Sequence, residues 1–369
     1  MPQPAAHAPV AGRGVTARTP LTNLSLDELR SRLAALGEPA YRARQLQHQL
    51  YQRQVESIEQ MAELPVALRT RLAREYLVSG LELATTSRSD DGQTTKLLLR
   101  AADGNLLETV SIRESAANAS QPRHTVCVSS QVGCAMGCQF CASGLDGVVR
   151  HLTSGEMIDQ VLHVVRSCGP ITNIVFMGMG EPLANVRQLI ATLSLLCDPH
   201  AFGLGARRIT VSTVGVVPGI QELAKLGLPV GLAVSLHAAD EALRSRLVPA
   251  TQRWSLAQVL DAARDYASAS GRTVTYEYVL LADVNDGNRH ADRLAALLGQ
   301  RQAKINLIPY NPVPELQQFQ RPTPPRVAEF RRRLVAAGVR ATVRKAKGDE
   351  VAAACGQLRR HSQRLSPGL

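Results

Sequence analysis

The sequence predicts an α/β protein: a partial (β/α)6 barrel, preceded by a small helical module and a β-hairpin. Three observations carry this. From about residue 124 to 350, short runs rich in Val, Ile and Leu alternate with longer amphipathic segments, the pattern of a parallel sheet wrapped by helices. Roughly six such units fit, fewer than the eight of a closed barrel. Hydrophobic residues make up 45% of the 369 and aromatics 4%, so a sizeable core is filled by Leu, Val, Ile and Ala.

The elements follow in order. Residues 1–21 form a leader rich in Pro, Ala and Gly, expected to be flexible, without the apolar stretch of a signal peptide. Residues 22–85 read as a helical accessory domain. Ser25-Leu26-Asp27-Glu28 is a capping box. Leu26, Leu29, Leu33 and Leu36 recur at helical spacing, and Gly37 ends the run. A second helix follows Pro39, with Tyr41, Leu46 and Leu50 expected on one side, and a third follows Pro65. Arg42, Arg44, Arg53, Arg69, Arg71 and Arg74 decorate these segments; RNA contact and packing against the main domain both account for them. Residues 86–123 hold a hairpin, with strands at 96–100 and 106–112 around the Asp103-Gly104 turn. Residues 124–350 are the barrel. Its strands are expected at 125–129, 173–177, 208–212, 230–236, 274–280, 304–308 and 341–344, with helices at 156–167, 186–196, 256–267, 289–298 and 326–337. Residues 351–369 form a C-terminal segment.

Composition narrows the function classes. No apolar run approaches the length that spans a bilayer, so a cytoplasmic protein without a membrane partner is expected. Of seven cysteines, three crowd into eight residues, a pattern of metal binding or catalysis rather than of a disulfide scaffold. Net charge is +11, and residues 301–369 carry 14 Lys/Arg against 4 Asp/Glu, a local excess of +10. Such a stretch suits a polyanion such as nucleic acid, or a solubilising surface.

The crowded cysteines are Cys134, Cys138 and Cys141, spaced C-x3-C-x2-C just after a strand. Three thiolates on one tight loop can bind three corners of a four-iron cube. The fourth iron then stays open to chelate the amino and carboxylate groups of S-adenosylmethionine (SAM). The rivals are a zinc site and three unliganded core cysteines. Zinc wants four closed ligands, and neither His124 nor His151 stands at a typical spacing.

Polar residues gather at expected strand ends. Gly178-Met179-Gly180-Glu181-Pro182 follows one strand; its glycines allow close backbone approach, and its carboxylate can accept hydrogen bonds from an ammonium group. Ser212, Ser235-Leu236-His237 and Asn311 end or follow later strands, where a parallel barrel builds its site. Cys127 lies on the strand entering the cysteine loop. Cys355 follows the basic stretch Val343-Arg344-Lys345-Ala346-Lys347, which would favour a nucleophilic thiol; the apolar run Val351-Ala352-Ala353-Ala354 equally suits a small hydrophobe in a helix. Glu108 alone reads as a strand-edge surface carboxylate. Cys168 and Cys197 fit no motif and read as core residues near helix ends.

The cysteine spacing resembles the radical SAM superfamily, which uses a partial (β/α)6 barrel. Taken with the segment from Val126 to Cys134, Gly178 to Pro182, Val211-Ser212-Thr213, Ser235-Leu236-His237, Ile305 to Pro312 and Ala354-Cys355-Gly356-Gln357-Leu358, the chain resembles the bacterial RNA adenine-C2 methyltransferases from about Leu24 to Leu358. The resemblance implies one 4Fe-4S cluster held by Cys134, Cys138 and Cys141, with SAM at the open iron and contacts from Gly180, Glu181, Ser212, Ser235, Leu236, His237 and Asn311. It implies two SAM per turnover. Cys355 takes a methyl group from the first; the second yields a radical that activates that methyl, which adds to adenine C2. Cys127 resolves the RNA–protein adduct through a transient disulfide with Cys355. Glu108 matches the acid/base position. The implied partners are 23S rRNA in its peptidyl-transferase region, tRNA at the adenosine 3′ of the anticodon, and an electron donor such as flavodoxin; a monomer is expected. The alternatives are methylation of adenine C8, which shares the motifs, a methylthiotransferase, for which cysteines are too few, and a non-catalytic metal-containing RNA-binding protein.

Overall fold

The structure, a computed structural model, describes residues 18–114, 122–299, 303–344 and 347–359. Most of the expected leader, and Arg301, Lys345, Arg360 and Arg364 of the basic C-terminal stretch, lie outside these residues.

The N-terminal module holds β1 (Thr19–Pro20), α1 (Leu26–Ala35), α2 (Tyr41–Tyr51), α3 (Val66–Glu75) and β2 (Tyr76–Leu77), and the two short strands pair in parallel to close it. The capping box forms: Ser25 Oγ accepts from Glu28 N at 3.2 Å, and Ser25 N donates to Glu28 Oε2 at 2.7 Å. Leu29 and Leu33 point into the core, and Gly37 takes φ 76° at the helix end. On α2, Leu46 and Leu50 are buried but Tyr41 is 55% exposed. Tyr41 stands five positions before Leu46, about 140° around the helix, so the two cannot share a face. Four of the six arginines make internal contacts: Arg42 with Gln45, Arg44 with Asp198, Arg69 with the Glu59 carbonyl and Arg71 with the Leu36 carbonyl.

The expected hairpin is a three-stranded antiparallel unit: β3 (Leu81–Arg88), β4 (Thr94–Ala101) and β5 (Leu106–Glu114). The strands β4 and β5 and the Asp103-Gly104 turn match expectation. The strand β3 straddles the expected boundary at 85/86 and escapes the sequence pattern because it is a polar edge strand with only Leu81 buried and a bulge between Leu83 and Thr85.

The chain then runs β6 (Arg123–Cys127), β7 (Gln131–Gly133), β8 (Val148–His151), α4 (Ser154–Cys168), β9 (Asn173–Phe176), α5 (Val186–Cys197), β10 (Ile209–Thr213), α6 (Val217–Lys225), β11 (Gly231–Ser235), α7 (Glu241–Leu247), α8 (Leu256–Ser270), β12 (Val274–Leu280), α9 (Asn288–Leu298), β13 (Ala303–Pro309), α10 (Pro324–Ala336) and β14 (Arg340–Val343). The short helices α6 and α7 go beyond the expected set. One ten-stranded sheet results, ordered β14-β13-β12-β11-β10-β9-β6-β5-β4-β3. Its parallel part, β6 to β14, is joined by helical crossovers, and β5 pairs antiparallel with β6, so the extension continues the barrel wall. Among the described residues β14 finds no partner on its outer side, and the barrel stays open. No described helix is long and apolar enough to cross a membrane.

One apolar core runs from Leu21 in the module through the barrel to Leu358. Its fully buried leucines each contribute about 1.5–3 kcal/mol. A second, smaller cluster of Phe140, Leu243, Leu247, Val248, Val279 and Tyr310 lies beside the strand ends. Beyond β14, residues 347–359 form no helix, which decides against the helical reading of Cys355. They cross the open side as a strap, tied to the extension by Lys96 Nζ on the Ala352 carbonyl at 3.3 Å and to the barrel by Ala142 N on the Gly356 carbonyl at 2.8 Å.

Candidate active site

The C-terminal ends of the parallel strands and the strap line a cleft that is open to solvent on one side. Cys134, Cys138, Cys141, Gly180, Glu181, Ser212, Ser235, His237, Asn311 and Cys355 all line it. Residues dispersed over most of the barrel sequence thus face one space.

The cysteine loop is the connection of the small hairpin β7–β8, which sequence pattern did not reveal. Gly133 takes φ +78°, and a Cβ there would stand 2.0 Å from the Gly147 carbonyl oxygen, so only glycine lets the hairpin close. Cys134 N donates to that same oxygen at 2.9 Å, and Gln139 N donates to the Leu247 carbonyl at 2.9 Å. The three thiols are free and half-buried. Burial pushes Cys134 up to about 12, and burial followed by the neighbouring Cys141 and Cys134 charges raises Cys138 well above the usual thiol range. Such a trio can be fully deprotonated only against a positive centre. Among the described residues no three His, Cys, Asp or Glu converge closely enough to hold a single ion. By its chemistry, a set of three thiols on one loop fits a four-iron cluster with one open corner, whereas a closed zinc site needs four ligands.

Glu181 is buried on the turn beside the cysteine loop, its N–H donating to Gln131 Oε1 at 2.8 Å. Its Oε1 accepts from Leu183 N at 3.0 Å and its Oε2 from Val214 N at 2.9 Å. Burial lifts it to about 7 against those hydrogen bonds. A buried carboxylate held by backbone N–H groups, facing a cleft, suits an ammonium group. The glycines before it line the cleft and also serve packing. A Cβ on Gly178 would sit 2.6 Å from Ser129 Oγ, and one on Gly180 2.5 Å from Gln131 Cβ. They let this turn pack onto the segment that leads into the cysteine loop.

His237 accepts at Nδ1 from Val279 N at 3.0 Å, and burial depresses it to about 3. It is a neutral imidazole whose Nε2–H remains as a donor. Asn311 is already engaged: its Nδ2 donates to the Cys355 carbonyl at 3.1 Å, and Arg321 Nη2 donates to its Oδ1 at 2.7 Å. Leu236 does not face the cleft; its side chain is fully buried in the main core.

Cys127 lies at the end of β6, behind the cleft wall. Its thiol is pushed up to about 12 by burial and by the Cys355 charge, against the pull of Arg344. The fold thus brings the two distant thiols within electrostatic reach of each other and of one guanidinium. Glu108 proves buried rather than a surface carboxylate. Its Oε1 pairs with Lys96 Nζ at 2.8 Å, and its Oε2 accepts from Arg359 N at 2.9 Å, at the end of the strap. Cys168 is buried at the end of α4 and Cys197 half-buried at the end of α5, both away from the cleft lining.

Sequence reasoning missed two acid groups of the cleft. Glu277 on β12 accepts from Asn306 Nδ2 at 3.0 Å through Oε1, leaving Oε2 without a hydrogen bond but within the field of Arg344, and the Tyr310 side chain also lines the cleft. A lone Glu inside the otherwise uncharged strand Val-Thr-Tyr-Glu-Tyr-Val-Leu was the available signal.

Comparison with known proteins gives two family matches along the chain. Residues 128–295 match the radical SAM superfamily, and residues 19–78 match the ribosomal RNA large subunit methyltransferase N-terminal domain. A probable dual-specificity RNA methyltransferase RlmN from Symbiobacterium thermophilum is 46% identical over 354 residues, 95% of this chain and 94% of its own. The dual-specificity RNA methyltransferase RlmN of an Anaeromyxobacter species is 45% identical, covering 92% of this chain and 90% of its own. The crystal structure of a radical SAM methyltransferase from Sphaerobacter thermophilus has a TM-score of 0.87 and 45% identity, covering 92% of this chain and 99% of that one.

Proposed function

The chain belongs to the RlmN family of radical SAM RNA methyltransferases, and from that premise we propose that it methylates C2 of an adenosine in the peptidyl-transferase region of 23S rRNA and of the adenosine 3′ of the tRNA anticodon. It is a SAM-dependent enzyme of ribosomal and transfer RNA that uses a 4Fe-4S cluster. The observation that carries the finer reading is that three cluster-type thiols, a buried carboxylate and Cys355 line one cleft, with Cys127 just behind it.

Cys134, Cys138 and Cys141 hold the cluster, and Glu181 receives the SAM ammonium group. When bound, cluster and SAM supply one-electron cleavage that makes a carbon radical, the chemistry an electron-poor aromatic carbon needs. Cys355 carries the methyl group on its sulfur, so that two SAM are consumed per turnover. The strap fixes that sulfur at the cleft wall, which replaces a chance encounter by a tethered one. Cys127 then breaks the thioether tether by forming a disulfide with Cys355. Glu108 handles a proton or the adenine amino group once the strap end at Arg359 is displaced from it. The basic surface takes the RNA by its phosphates. The protein works as a monomer in the cytoplasm, where its substrates lie, and is served by a flavodoxin-like electron donor.

Nucleoside mass spectrometry of rRNA and tRNA, with and without the protein, tests this. The expected product is 2-methyladenosine at both sites. A product methylated at C8, or no product from protein loaded with about four irons, would sink the C2 reading.

A further inference from the structure

Helix α7 packs against the loop that carries Cys138. Gln139 N donates to the Leu247 carbonyl at 2.9 Å, and Leu243 and Leu247 share the second apolar cluster with Phe140, with Cys138 packed against it. At the centre of this helix sits Arg244, whose side chain is fully buried. Its Nη2 donates to the Val214 carbonyl at 2.6 Å, while Nε and Nη1 have no partner. Glu241, one turn away, turns both carboxylate oxygens to Leu256 N. Arg244 forms no ion pair among the described residues, and it does not line the cleft.

An unpaired buried guanidinium is expensive, and a fold keeps one only where negative charge offsets it. Two negative charges act on it: first that of Glu241 on its own helix, and then, on the cleft side, that of Cys138. Three cysteinates around a four-iron core give a net negative centre, which gains one more negative charge on reduction. A fixed cation beside it favours the reduced form. The same guanidinium also grips Val214, and Val214 N donates to Glu181 Oε2 at 2.9 Å. One residue thereby bears on both halves of the machinery, on one by charge and on the other by a hydrogen bond, from outside the cleft lining.

We propose that Arg244 is a positioning residue whose buried charge sets the reduction potential of the cluster and whose hydrogen bond to Val214 holds Glu181 in place. The inference rests on the assignment of the cluster to Cys134, Cys138 and Cys141.

The test uses the cluster-loaded protein without RNA, with Arg244→Met and Arg244→Lys beside the wild type, in a redox titration followed by EPR. At a fixed poise, Arg244→Met lowers the ratio of reduced to oxidised cluster at least tenfold, a midpoint about 59 mV more negative. Arg244→Lys recovers at least half of that shift. Thermal melting of the cluster-free proteins separates structure from charge. There the Met variant melts at or above the wild-type temperature, because an uncompensated buried charge has been removed. A potential within twofold of the wild type at full iron content overturns the proposal. So does a fall in cluster-free melting temperature, a failure of that variant to fold, or a Lys variant that behaves like Met. Should the Met variant fold but not load iron, a Lys variant that loads it at near wild-type potential supports the proposal, and one that does not overturns it. A wild type that binds no four-iron cluster overturns the underlying assignment itself.

Discussion

The two walls of the cleft are built by opposite means. One wall is local in sequence: Cys134, Cys138 and Cys141 lie within eight residues, on a hairpin that closes through Gly133 and Gly147. The other is assembled from far apart: Cys355 on the strap faces the cleft, backed by Cys127 from the first parallel strand. The local wall takes its shape from its own turn chemistry, with support from helix α7 and from the strap at Ala142 and Ser143. The distant wall exists only once the sheet has formed and the strap has crossed it. In the mechanism proposed above, radical generation falls to the wall that is local in sequence, and group carriage to the wall assembled from distant segments.

The largest expected effect separates the two walls outright. Cys355→Ala abolishes methylation of rRNA and tRNA while iron content and SAM binding stay at wild-type levels. Nucleoside mass spectrometry beside iron analysis reads both, and retained turnover would show that the distant wall carries no methyl group. A step smaller is Cys127→Ala. It permits attachment to RNA but not release, so no free methylated product forms, and a covalent RNA–protein band accumulates on a denaturing gel to about one per enzyme. Clean turnover without such a band would remove Cys127 from the mechanism.

The same division explains what could be read from the sequence. The C-x3-C-x2-C spacing, the Glu181 turn and the Ser25 capping box are short-range patterns, and the strand–helix alternation gave the barrel. What escaped lacks a local signature. The strand β3 is polar because it is an edge, and α6 and α7 are too short to show a period. Glu108 reads as a surface residue until β4 and β6 flank it and Lys96 covers it. Arg244 stands in Leu-Arg-Ser-Arg-Leu, which reads as a solvated helix face; only packing against the cysteine loop buries it. The strap has no periodicity, so the apolar run before Cys355 suited a helix as well as a turn.

Glu181 tests the local wall by itself. Glu181→Gln keeps the shape, but its one amide oxygen can accept from only one of Leu183 N and Val214 N, and it loses the charge that meets an ammonium group. A hydrogen bond to a charged group is worth about 1.5–3 kcal/mol, so SAM binding weakens roughly tenfold to a hundredfold. Calorimetry on the cluster-loaded variant measures this, with iron content unchanged. A shift below threefold would mean that Glu181 only caps its turn.

The smallest effect concerns how firmly the distant wall is docked. Asn311 Nδ2 donates to the Cys355 carbonyl at 3.1 Å, and Arg321 Nη2 fixes the Asn311 side chain at 2.7 Å. Asn311→Ala removes one neutral hydrogen bond from the strap, worth about 1 kcal/mol, so the undocked population rises roughly fivefold. Other ties remain, among them Ser143 Oγ on the Leu358 carbonyl at 2.5 Å and Gln357 Nε2 on the Pro312 carbonyl at 3.0 Å, so the strap loosens without being lost. In the cluster-free protein, amide exchange over residues 353–358 and alkylation of Cys355 should both speed up by that factor, while exchange in the cysteine loop stays unchanged. Equal acceleration in both places would mean that the walls open together, and that the strap is not an independently moving part.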